Sequence, residues 1–205
     1  MSTANNITPA SDAERAAMAA RAFYQRLDPI RLLHDPLFSR YGLCAMPYIS
    51  RWHPHQSCPE VETLYSGDRA IFVWLVGVVK TCQFFSVEGT PLPCATVELS
   101  FLDARDRDAA IWWHLMKDTE QTVTVRRNEL ARHQGNPVGG TFDASTDTVL
   151  NLNNIIQPSR RMDTRLIQPG HVVAAGCVIY RQSNSWWNIK MVMINIIVLH
   201  KRRFM

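Results

Sequence analysis

No apolar run in this 205-residue sequence is long enough to cross a bilayer. The longest, residues 70–79, reaches about half of the ~20 residues that a spanning helix requires. Contact with a membrane, if made, is therefore expected to be peripheral. The signatures of the common enzyme classes are missing as well: there is no Gly-x-Ser-x-Gly, no His-Glu-x-x-His, and no carboxylate pair at acid–base spacing on a predicted strand. Gly135, Gly139 and Gly140 fall in a loop without the Gly-Lys-Ser/Thr ending of a phosphate-binding turn. Asp106 and Asp108 flank Arg107 in a charged run and read as ordinary surface acids. A non-enzymatic protein without a cofactor is expected. Cysteine is sparse and odd in number, five in all, at 44, 58, 82, 94 and 177. Their wide spacing and the lack of a signal-peptide pattern favour free thiols in a reducing compartment. There is no internal repeat and no low-complexity segment.

What is present is the composition of one globular domain, 46% apolar and 20% charged, with a modest net charge of +4. Residues 1–10 carry no pattern and are expected to be a flexible arm, leaving 11–205 as a single domain. Ser11-Asp12-Ala13-Glu14 has the form of a capping box and starts an amphipathic helical segment over 11–34, with Ala16, Ala20, Phe23 and Leu27 on one stripe and a stop at Asp28-Pro29. Residues 71–78 are apolar on both faces, which predicts a central strand covered on each side. After a turn over 88–93, Val97, Leu99 and Phe101 alternate with Glu98 and Ser100, the mark of a half-buried strand.

Residues 36–67 show no sustained period. Residues 105–118 hold a short helix or a buried strand, and 121–125 alternate as a strand with Thr122 and Thr124 opposite Val123 and Val125. Three further strands are predicted over 148–156, 171–180 and 186–199. This distribution predicts an all-β sandwich, jelly-roll-like, with helix confined to the start and to the neighbourhood of 105–118.

Three groups of residues bear on function. Arg126, Arg127 and Arg132, then Arg160, Arg161 and Arg165, and finally Lys201, Arg202 and Arg203 form three basic clusters in the second half. Such clusters neutralise phosphates without reading sequence, although at any one of them the charges equally serve to wet a surface. Trp112, Trp113, Trp186 and Trp187 are able to stack unpaired bases, but tryptophan pairs in strands commonly divide between core and interface. His53, His55 and Cys58 offer three nitrogen or sulfur ligands without a fourth, and a packing role is favoured over a metal site.

The strand ending Phe101-Leu102-Asp103, followed 67 positions later by Gly170 and the run HVVAAGCVIYR, resembles the signature of the thirty-kilodalton superfamily of plant-virus movement proteins. The similarity covers roughly residues 60–182. Phenylalanine stands where the motif has leucine, and a further strong strand follows where many members carry a charged tail. The resemblance implies a virus-encoded jelly roll that binds single-stranded nucleic acid, RNA in particular, self-associates, and acts in the host cytoplasm or at plasmodesmata. It also admits a capsid subunit in a virion, with a matrix or accessory protein third. Residues 1–12 contain no arginine or lysine, unlike many RNA-packaging capsid arms, which favours the movement role.

Overall fold

The structure, a computed structural model, describes residues 11–55, 58–127, 140–183 and 189–201. The expected arm at 1–10, Arg132, Arg202 and Arg203, and Trp186 and Trp187 lie outside these residues. Helix α1 (Asp12–Arg31) begins as the sequence predicts: the Glu14 amide donates to Ser11 Oγ at 3.2 Å and the Ser11 amide to Glu14 Oε2 at 2.7 Å. The predicted stop at Asp28-Pro29 does not occur. Proline removes one amide donor, but Leu27 and Ile30 on either side are fully buried, and the Leu32 amide donates to the Asp28 carbonyl at 2.8 Å across it. Packing thus holds the last turn. The apolar stripe is only half used, because Phe23 and Leu27 reach the body while Ala16 and Ala20 stay exposed.

The remaining elements follow as β1 (His34–Asp35), β2 (Arg40–Gly42), β3 (Arg51–His55), β4 (Cys58–Ser66), β5 (Arg69–Ala70), β6 (Phe72–Phe85), β7 (Pro91–Phe101), α2 (Ala104–Trp112), β8 (Val123–Arg126), β9 (Gly140–Asp143), α3 (Leu152–Ile155), β10 (Val172–Gln182) and β11 (Ile189–His200). The all-β expectation, with a leading helix and a short one after residue 103, holds. Among the described residues no helix is long and apolar enough to cross a membrane.

The arrangement within the all-β class differs from the expected jelly roll. Strand β6 is long enough to serve two neighbours: its first half pairs with β10 and its second with β7, both antiparallel. Strand β7 pairs with β8, β8 lies parallel to β11, and β11 returns antiparallel to β10, which closes a ring. Strands β8 and β9 run end to end along β11, so they act as one interrupted strand. Counted round the ring, the order is first, second, third, fifth, fourth and back to first, with the third and fifth parallel. That is the connectivity of the five-stranded Greek-key barrel known as the OB fold. Alternation alone predicts strands but not which of them meet, so closure was invisible in the sequence.

One face of every barrel strand points inward: Val73, Leu75 and Val79 meet Val97, Leu99, Val125, Val173 and Met193. The outward face of β6, β10 and β11 is also apolar, and Trp74, Val76, Ala174 and Leu199 are covered by Leu27 and Ile30 of α1 and by Leu150, Leu152 and Ile155. This confirms a central strand at 71–78. Two local expectations fail. Residues 148–156 form no strand, because Asn151 caps the single turn α3, accepting from the Asn153 amide at 3.0 Å in place of a ladder bond. Conversely 36–67, which has no visible period, contains the β3–β4 hairpin. Its Pro54 is tolerated because β3 ends the sheet and needs no second partner.

Candidate nucleic-acid interface

The outward faces of β7 and β8 are the part of the barrel that α1 and the 144–156 segment do not cover. Register fixes which side chains share this surface. Thr81 stands beside Glu98 and Glu98 beside Thr124; Gln83 stands beside Thr96 and Thr96 beside Arg126. Arg126 in turn faces Val192 across the parallel junction with β11, which brings Lys190 to the same side. Thr124, Arg126 and Lys190 are exposed, and with Thr122, Glu120 and Leu115 they line an open cleft of about 420 Å³. Neither Arg126 nor Lys190 makes an ion pair among the described residues. Threonine hydroxyls beside two cations that make no ion pair among the described residues form a surface suited to phosphate and sugar oxygens.

Besides Glu120, which lines the cleft, this face carries a carboxylate between Thr81 and Thr124, Glu98. It accepts from Thr122 Oγ1 at 2.5 Å and Thr81 Oγ1 at 3.0 Å. Those bonds, Thr122 first, hold it below the usual carboxylate range, with nearby Lys80 adding to the effect. It is therefore ionised at neutral pH and orients two hydroxyls on either side.

The predicted basic residues that the structure describes do not gather into one patch. Arg126 is exposed on β8, but the next residue, Arg127, turns inward and is 5% exposed, so that desolvation lowers its pKa. Arg160 pairs with Asp147, and Lys201 Nζ lies 2.5 Å from Asp143 Oδ2. Arg161 is exposed and bridges to Phe142 in the backbone. Arg165 lies over the Phe85 ring, 4.8 Å from its centre, near the end of β6. Lys190 was missed as a candidate, although one cation within an apolar run of alternating strand is a visible sign of an outward position.

Trp112 and Trp113 divide as tryptophan pairs commonly do. Trp113 packs against the core, while Trp112 is 56% exposed and meets Tyr48 edge to face at 5.3 Å. His53 packs against Tyr65, and His55 against Tyr180. Among the described residues no three metal-ligating side chains converge.

Both residues of the movement-protein signature have structural duties. Asp103 caps α2, its Oδ1 accepting from the Arg105 amide at 2.8 Å, and its Oδ2 lies 2.7 Å from Arg31 Nη2, near enough for an ion pair but not aligned as a hydrogen bond. The Arg105 side chain, the Arg105 amide and Arg31 together hold it well below the usual carboxylate range. Gly170 takes φ +90° and its amide donates to Val79 at 2.8 Å, a turn that feeds β10.

Arg31 itself is nearly sealed from water. Its Nε donates to Asp106 Oδ2 at 2.8 Å and Nη1 to Asp28 Oδ1 at 3.3 Å. Burial pushes its pKa down, but Asp106 and Asp103 more than offset that and leave it raised. Cys44 donates to the other oxygen of Asp106 at 2.5 Å, and burial followed by that carboxylate pushes the thiol up to about 12. Such a thiol stays protonated and is a poor nucleophile at neutral pH. This cluster joins α1 to α2 and serves the fold.

No family model matches the chain, and no curated protein matches it. Among solved structures it is similar to the single-stranded DNA-binding protein from bacteriophage Enc34 in a C-terminally truncated form. That likeness covers 77% of this chain and 99% of the other, at 10% identity and a TM-score of 0.33.

Proposed function

We propose that the protein binds single-stranded nucleic acid without sequence specificity along the outward face of β7 and β8, with Arg126 and Lys190 meeting phosphates. The observation that carries this is the asymmetry of the closed barrel: one outward side is buried under α1 and α3, and the other presents hydroxyls and two cations that make no ion pair among the described residues. The face formed by the second and third strands of an OB barrel is the side that oligonucleotides and oligosaccharides occupy in that fold, which is an analogy of fold alone. The basic residues supply the electrostatic part of such binding, and its signature is salt dependence. No chemistry is proposed at the site, and the protein acts as a non-enzymatic, self-associating binder.

The experiment is a gel-shift titration of a single-stranded oligonucleotide at rising salt. Binding that weakens linearly in log–log coordinates supports the proposal. Absence of binding at low salt, or indifference to ionic strength, overturns it. A movement protein and a capsid subunit are two narrower forms of the same proposal. Electron microscopy distinguishes them, extended ribonucleoprotein strands belonging to the first and closed particles to the second.

A further inference from the structure

We propose that the nucleic-acid track continues past Lys190 across β10 and the β3–β4 hairpin, where unpaired bases of the same strand stack on the rings of His53, Tyr65 and Tyr180. The inference rests on the strand-binding reading and extends it to a hairpin outside the ring of five strands. Register carries the track across: Lys190 of β11 stands beside Tyr180 of β10, Tyr180 beside Thr63 of β4, and Thr63 beside His53 of β3. Partners in a ladder share a face, so these four positions form one row, about 14 Å long at ~4.8 Å per strand. In the alternate row Met191, Ile179 and Leu64 are buried in the core and Trp52 packs against it, which puts the row of Lys190 on the outside.

The side chains on this surface define the ligand. His53 packs on Tyr65 with ring centres 4.9 Å apart, and His55 on Tyr180 at 5.7 Å. Thr63 is buried in the row, but His53 is exposed, as is Arg51 beside Tyr65, and Tyr65, Tyr180 and His55 are partly so. Glu62 takes the other face: it stands beside Pro54, accepts from Arg181 Nε at 2.6 Å, and Arg181 in turn lies over the Trp52 ring at 4.4 Å from its centre. The outward surface thus has a cation at each end, Lys190 and Arg51, with aromatic rings between them. A single strand fits that order, because its phosphates meet charge while its bases offer flat faces for stacking. A duplex keeps those faces stacked within itself, so this surface selects unpaired strands.

The test titrates the full chain with a labelled oligothymidylate of about twelve nucleotides, and with an abasic deoxyribose-phosphate strand of the same length, each over a range of salt. His53→Ala should weaken oligothymidylate binding about fivefold at an unchanged salt slope, and His53→Phe should restore it. Arg51→Ala should lower the slope by ~0.7. The abasic strand should bind the parent and His53→Ala alike, because it offers phosphates and no bases. Both positions are exposed on the end strand β3, so neither change opens the core. The inference alone falls if Arg126→Ala weakens binding while His53→Ala and Arg51→Ala bind as the parent does, or if His53→Ala weakens the abasic strand equally. It also falls if His53→Ala lowers the sedimentation coefficient with affinity unchanged, which assigns the surface to a second copy of the chain. Absence of salt-dependent binding by the parent overturns the strand-binding reading and this inference with it.

Discussion

The covered side of the barrel wall, on β6, β10 and β11, and the uncovered side, on β7 and β8, use charge in opposite ways. On the covered side almost every cation is engaged. Arg31 is sealed among Asp28, Asp103 and Asp106, the Arg26 Nε and Nη2 donate to the carbonyls of Asp147 and Ala144, Arg160 meets Asp147, and Lys201 meets Asp143. On the uncovered side Arg126 and Lys190 face solvent beside threonine hydroxyls. A basic residue thus reports a binding surface only where no acid has been placed against it, and the total charge of +4 does not distinguish the two cases.

The largest effect should come from breaking the covered side. Arg31→Ala removes a buried cation and leaves the Asp106 carboxylate, 3% exposed, without its main partner. Loss of one member of a buried ion cluster typically costs about 3–5 kcal/mol. Denaturant titration should show a lower midpoint with an unchanged slope, and a loss below about 1 kcal/mol would refute the structural role given to the cluster. The sign of the pH dependence follows from Asp103. Its folded pKa is depressed, so the stability it contributes is present above the unfolded carboxylate value near ~3.9 and is lost as pH falls toward the lower folded value.

Next is the uncovered side. Arg126→Ala combined with Lys190→Ala should leave unfolding nearly unchanged while cutting nucleic-acid affinity. If each cation meets one phosphate of a single strand, the slope of log K against log salt should fall by about 1.4, at ~0.7 for each contact. An unchanged slope would remove this face from the binding surface, whatever the overall affinity. If the double variant instead unfolds readily, the division of labour between the two sides fails.

A smaller effect of opposite sign tests the acid at the centre of the face. Glu98→Gln keeps the acceptor for Thr122 or Thr81 but removes a negative charge from among the proposed phosphate contacts. Affinity should rise a few-fold at low salt and converge with the parent at high salt, where exposed charges are screened. Affinity that falls would mean that Glu98 orients the threonines more than it repels the strand.

The local pattern was legible where it depended on neighbours in sequence. The reciprocal Ser11–Glu14 cap, the alternation of Val97 and Leu99 with Glu98, and the two-sided apolar character of 71–78 all led to the right element. Long-range pairing was not legible. Nothing in the alternation says that β6 changes partner at Gly77, or that β8 resumes as β9 along β11. At the site, period two placed Thr122 and Thr124 opposite Val123 and Val125 as the structure has them, and Arg126, which the sequence reading gave no side, continues the threonine side. Arg127 belongs to the opposite side by the same rule, and its place in a basic cluster obscured that. The engagement of Arg160 and Lys201 depends on Asp147 and Asp143, which are distant in sequence, so only the fold reveals it.

The smallest effect concerns His171, at the start of β10 on the covered side. It is 5% exposed, its Nδ1 has no partner among the described residues, and burial lowers its pKa, with Lys201 and His200 pushing the same way and Asp143 opposing. A neutral ring is thus favoured in the fold. Because the folded pKa lies below the unfolded one near ~6.5, the unfolded chain takes up the proton first as pH drops. Stability attributable to this group is complete above that value and declines as pH falls toward the folded one. His171→Phe removes both the titration and the orphaned nitrogen while keeping an aromatic ring of similar size. Unfolding measured at pH 7 and pH 5 should therefore differ less in the variant than in the parent. An equal difference would show that the pH response arises elsewhere and that the covered side tolerates a protonated imidazole beside Lys201.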